Sequence, residues 1–132
     1  MRAREETPLT NEPWPTGIRL TDSGRTLRIE FDDGASYALG AELLRVRSPS
    51  AEVQGHGPAD RKTVGGKRNV AIVDVAPVGN YAVRLDFDDL HRTGIFTWRY
   101  LRELGRNAEE SFRAYLGELA EKGLDRDHPG EK

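Results

Sequence analysis

The sequence has 132 residues and no cysteine. That excludes a disulfide framework, a thiolate zinc centre, a cysteine nucleophile and an iron-sulfur cluster held by the chain's own thiols. Long apolar runs are missing too. The opening MRAREETPLTNEPWP has no hydrophobic centre of the signal-peptide kind, and no window approaches the roughly 18 apolar residues of a membrane span. A cytoplasmic protein without membrane contact is expected. Nor is there an excess of either charge: 20 Lys and Arg against 22 Asp and Glu leave a net −2. A near-neutral domain lacks the field that draws proteins to phosphate backbones, so no DNA partner is expected. Histidine is scarce, and none of His56, His91 and His128 opens an H-x-D or H-E-x-x-H pattern. Neither an iron-oxygenase triad nor a zincin helix is visible. Gly65-Gly66-Lys67-Arg68 lacks both the first glycine and the closing Ser or Thr of a phosphate loop.

What remains is 36% hydrophobic and 32% charged, enough for one thin core. Residues 1–15 read as a flexible arm, residues 16–123 as a single domain and residues 124–132 as a flexible tail, with Trp14 placed to pin the arm to the core. Ile18 and Leu20, then Leu27, Ile29 and Phe31, alternate with polar neighbours, and Asp32-Asp33-Gly34 supplies turn chemistry before Tyr37 and Leu39. Ala41 to Arg47 reads as a short helix. After a glycine-rich connection, Ser48 to Asn69, the order recurs. Strand signals over Val70 to Val75 and over Tyr81, Val83, Leu85 and Phe87 precede Asp88-Asp89, Ile95-Phe96 and a helix from Trp98 that should stop at Gly105. Leu27-Arg28-Ile29-Glu30-Phe31-Asp32-Asp33 matches Val83-Arg84-Leu85-Asp86-Phe87-Asp88-Asp89, and Leu43-Leu44-Arg45 matches Tyr100-Leu101-Arg102. That pattern predicts an internal repeat. A last helix, capped at Asn107, should dock through Phe112, Leu116 and Leu119. The fold class expected is α+β: antiparallel hairpins in one small twisted sheet or two packed sheets, two short helices and a C-terminal amphipathic helix.

Chemistry-bearing side chains are few. Asp88 and Asp89 could offer oxygens to a hard cation, with His91 and, across the loop, His56 as nitrogen donors, but adjacent aspartates more commonly shape turns. Arg45, Arg47, Arg61, Lys62, Lys67 and Arg68 give residues 40–68 an excess of three positive charges. With His91, these residues are the expected interaction surface for an acidic protein partner, with RNA as the second choice. No nucleophile or second histidine accompanies His91 at motif spacing, so no catalytic residue is assigned and no enzyme is expected.

Leu44-Arg45-Val46-Arg47-Ser48-Pro49-Ser50-Ala51-Glu52-Val53, Val78-Gly79-Asn80-Tyr81-Ala82-Val83, and Phe87-Asp88-Asp89-Leu90-His91-Arg92-Thr93-Gly94-Ile95-Phe96-Thr97-Trp98 with Tyr100-Leu101 resemble the domain of unknown function 971. It is also called the gamma-butyrobetaine hydroxylase-like N-terminal domain, and the resemblance runs from about Ile18 to Leu104, in the form of standalone bacterial members. Leu90 stands where the family usually has glycine. In the hydroxylases the domain carries a zinc on three cysteines and a histidine. The resemblance places those cysteines on Ser48, Ser50 and Val53 and the histidine on His91, so the site is expected to be lost and no cofactor is expected. The domain also accompanies Mrp-type ATPases that carry iron-sulfur clusters. A noncatalytic interaction or adaptor role follows, beside iron-sulfur assembly or a metal-dependent enzyme, with such an ATPase or enzyme as protein partner. A metal-binding protein using His91 and the nearby aspartates is the alternative, and a small enzyme the third.

Overall fold

The computed structural model describes residues 14–50 and 63–128. Strands β1 (Pro15–Thr21), β2 (Thr26–Phe31) and β3 (Ser36–Gly40) form one antiparallel meander that runs into helix α1 (Ala41–Val46). Strands β4 (Ile72–Val78), β5 (Ala82–Phe87) and β6 (Gly94–Thr97) form a second, which runs into α2 (Trp98–Arg106) and then α3 (Ala108–Glu121). This is the α+β class expected, with two three-stranded sheets.

The repeat read from the sequence is a repeat of structure. Leu27 pairs with Leu39 as Val83 pairs with Phe96, and Leu27, Ile29 and Phe31 face the core as do Val83, Leu85 and Phe87. The alternation has a simple cause: side chains on a strand alternate between faces, so each apolar series lies on one side of its sheet. Those faces, with Leu43, Leu44, Leu101 and Leu104 from the two helices, make one continuous core. Trp14 is pinned to the domain, as its place between two prolines suggests. Its N–H donates to Asp32 Oδ1 at 3.1 Å, its carbonyl accepts from Asp32 N at 2.8 Å, and its ring meets Trp98 edge-on at 6.4 Å.

Four expectations need correction. Gly105 does not stop α2; it lies inside the helix, against the Tyr37 ring of β3. Leu116 is not part of the docking stripe. It is 39% exposed, while Tyr115 is fully buried and forms a second, small core with Val46 and Leu119. The helix is rotated so that its 112, 115 and 119 positions face inward, and the Tyr115 hydroxyl donates to the Val64 carbonyl at 2.5 Å. Burial pushes that phenol up to about 12, which keeps it protonated as a donor. The segment 124–128, expected to be part of a flexible tail, packs back: Arg126 makes a bidentate pair with buried Glu42 at 2.8 and 2.6 Å, and Asp125 O accepts from Gly66 N at 2.9 Å. Asn107 opens α3, but its side chain donates back to Glu103 O at 3.0 Å rather than capping forward.

Candidate functional site

His91 follows the β5–β6 turn, Phe87 to Leu90. The turn is closed by Leu90 N donating to Phe87 O at 3.1 Å and Phe87 N donating to His91 O at 2.9 Å. Asp89 fixes it from the side, since Oδ1 accepts from His91 N at 3.1 Å while Oδ2 accepts from Arg45 Nε at 2.8 Å and Lys67 Nζ at 2.5 Å. Burial works against the charge on Asp89, yet the Lys67 hydrogen bond and the Arg45 charge outweigh it and hold the carboxyl below the usual range. Asp88 accepts from Ala71 N at 3.2 Å. Asp89 therefore serves the turn, while Asp88 ties it to the residue before β4.

The imidazole points inward and is only 5% exposed. Nε2 lies 3.0 Å from Ser48 Oγ and 3.4 Å from Ser50 Oγ, and the ring stacks at a tilt on Phe87, 6.0 Å between centroids. Ser48 is fully buried. A β-carbon on Gly94 would lie 2.5 Å from its Oγ, so this glycine is what lets β6 approach the hydroxyl. The cluster thus ties the chain leaving α1 to the turn of the second meander. A hydroxyl beside an imidazole is also the opening pair of a nucleophile and its base. Here Ser48 is fully buried, with Gly94 packed against its hydroxyl.

Among the described residues, the cations of the expected basic surface are engaged in ion pairs. Arg47 is 5% exposed and internal. Its guanidinium donates to both Glu118 carboxylate oxygens, at 3.2 and 3.1 Å, and to Ser111 Oγ and O, at 3.2 and 3.3 Å, beside the Tyr115 ring. Arg45 and Lys67 are spent on Asp89, and Arg68 pairs with Asp127 at 2.5 Å. Arg47 and His91 are buried because each meets partners far along the chain that composition does not reveal. His56, Arg61, Lys62 and Val53 lie outside the described residues.

One relation escaped the sequence reading, although its residues were in the repeat. Arg45, at the end of the first unit, pairs with Asp89 in the second unit's turn; Arg102, its counterpart in the second, pairs with Asp33 in the first unit's turn at 2.5 Å. Each unit supplies the cation for the other's turn.

The profile of the family described as gamma-butyrobetaine hydroxylase-like, N-terminal, matches residues 18–102. The chain belongs to that family. Two solution NMR structures are similar to it: one at 45% identity over 92% of this chain and 90% of the other, the second at 47% over 91% and 94%, both with a TM-score of 0.76. A crystal structure of a protein of unknown function from Acidithiobacillus ferrooxidans ATCC 23270, described as belonging to the DUF971 family, is 43% identical over 69% of this chain and 91% of that one, with a TM-score of 0.58. No curated protein matches the chain.

The zinc implied by resemblance to the hydroxylases can be tested against these donors. Ser48, Ser50 and His91 do converge, at the distances above. A neutral hydroxyl does not replace a thiolate toward zinc, and one imidazole cannot close a tetrahedral site, so Ser48, Ser50 and His91 do not fit the metal. Among the described residues no group of three His, Asp or Glu side chains is placed to hold one. No helix among them is long and apolar enough to cross a membrane.

Proposed function

We propose that this chain is a noncatalytic protein-binding module, an adaptor working beside iron-sulfur cluster assembly or another metal-dependent enzyme. The single observation that carries the reading is the closure of the His91 cluster. The best candidate for chemistry in the sequence is turned inward onto two serine hydroxyls and ties the chain after α1 to the turn of the second meander. The cations Arg45 and Lys67 beside it are paired with Asp89, and Arg47 with Glu118, which supports a binding rather than a catalytic role. The kind of partner, an Mrp-type ATPase or a metal-dependent enzyme, comes from the family resemblance.

Metal binding through His91, Asp88 and Asp89 is the weaker reading, because Nε2 faces hydroxyls while both carboxylates are engaged by backbone N–H groups and, for Asp89, by Arg45 and Lys67. The deciding experiment is affinity capture of the full chain from native cells, with quantification of what elutes. A single protein recovered in near-stoichiometric amount, equally by wild type and by a folded His91→Gln variant, is the expected result. A small-molecule turnover that His91→Gln abolishes while leaving the fold intact would contradict it.

A further inference from the structure

Leu90 breaks a local rule. Its φ is +75°, in the left-handed region that glycine enters freely and a branched L residue enters at a cost. Among the described residues the other non-glycine ones with positive φ are Asp22 and Ser23, short polar side chains. The internal repeat supplies a control, because the same turn in the first unit has Gly34 at φ +92°. Hydrogen bonds match one for one: Gly34 N donates to Phe31 O at 3.0 Å, Phe31 N to Ala35 O at 2.8 Å and Ala35 N to Asp33 Oδ1 at 3.0 Å. The turn therefore requires only a positive φ, and glycine satisfies it. Leu90 gains nothing from burial in exchange, for it is 79% exposed, the most exposed large hydrophobic side chain among the described residues.

We propose that Leu90 is a protein-contact anchor, held out from the fold to enter an apolar pocket on a partner protein whose rim carries a carboxylate for Arg92. This rests on the adaptor reading and names the contact it uses. Strain retained without return inside a fold marks a functional position. The platform is rigid on both sides, with Asp89 clamped by Arg45 and Lys67 and His91 locked on Ser48, so little freedom is lost on binding. Charge sets the chemistry of the rim. Asp88 is occupied by Ala71 N and Asp89 is neutralised, whereas Arg92 is exposed and has no ion pair among the described residues. A lone leucine is a good fit to a pocket and a poor one to a lipid surface, which demands a broad apolar face.

The test uses the full chain with a diazirine-bearing photo-crosslinking amino acid at position 90, and at 34 and 73 as controls, irradiated in native cells. The expected result is one discrete adduct from position 90, identified as a single different protein and absent from position 34. Purified, that protein should bind wild type and lose at least tenfold in affinity for Leu90→Gly, whose melting temperature does not fall. A discrete adduct from Val73 with none from 90 would remove the anchor and leave the adaptor reading standing. No discrete adduct from any position would overturn both. Adducts only to lipid or to a second copy of the chain, undiminished binding by Leu90→Gly, or a lower melting temperature in that variant would each overturn the anchor.

Discussion

Arg47→Ala is expected to lower the unfolding free energy by about 3 kcal/mol, since removing one member of a buried ion pair leaves the other poorly solvated. Arg47 is the residue that fastens α3. Its guanidinium reaches Glu118 with two hydrogen bonds, Ser111 with two more and the Tyr115 ring at 6.0 Å. Its own carbonyl accepts from the Tyr100 hydroxyl at 2.5 Å, which carries the same anchor to α2. Glu118 is a quarter exposed, and this places the effect at the low end of the range for buried pairs. Arg47→Lys should recover less than half of the loss, because an ammonium cannot reproduce the planar fork that grips both carboxylate oxygens. Urea unfolding of the three proteins measures this. A loss in Arg47→Ala no larger than that of an exposed arginine such as Arg28 would show that the helix is held by Tyr115 and Leu119 alone.

The second large effect has an unexpected sign. Replacing glycine by alanine within a helix ordinarily stabilises it by about 1 kcal/mol, but Gly105→Ala is expected to destabilise this protein by about 2 kcal/mol through overpacking. A β-carbon there would lie 2.7 Å from Tyr37 Cδ1 and 2.8 Å from Cδ2. Tyr37 is wedged between that helix and Phe31, whose ring it meets edge-on at 6.2 Å, so it has little room to yield. In a Tyr37→Ala background the same substitution should revert to its ordinary stabilising sign. A double-mutant cycle by thermal unfolding reads both outcomes; a stabilising Gly105→Ala in the native background would mean that α2 does not press on β3.

These two residues also mark where the sequence stops being legible. Strand alternation at Leu27, Ile29 and Phe31 and at Val83, Leu85 and Phe87 follows from the two-residue period of the backbone, a local property, and so do both aspartate turns. The resemblance brought Ser48, Ser50 and His91 to one place, and the structure joins them. Arg47, by contrast, reads as surface because arginine is usually solvated; its burial depends on Glu118, 71 residues further on. Gly105 reads as a helix stop because glycine often is one, and only the Tyr37 ring from another element makes it an interior necessity. For α3, Phe112, Tyr115, Leu116 and Leu119 fit one apolar arc, and the period alone does not say which edge of it faces the core. The reciprocal Arg45–Asp89 and Arg102–Asp33 pairs were present in the repeat as letters. They became an interaction only once the two units were seen to exchange partners.

Ser48, Ser50 and His91 are expected to act as a structural cluster in place of a metal centre. Elemental analysis of full-length protein, purified without a histidine tag or chelator, tests it most directly. The variant with Ser48, Ser50 and Val53 all replaced by cysteine is measured alongside, as a rebuilt site that should hold about one zinc per chain. Wild type is expected to contain zinc far below stoichiometry and to gain none on incubation with the metal, its hydroxyls being unable to act as thiolates. About one zinc per wild-type chain, lost in His91→Ala, would contradict that expectation and make the protein a metal site first and an adaptor second.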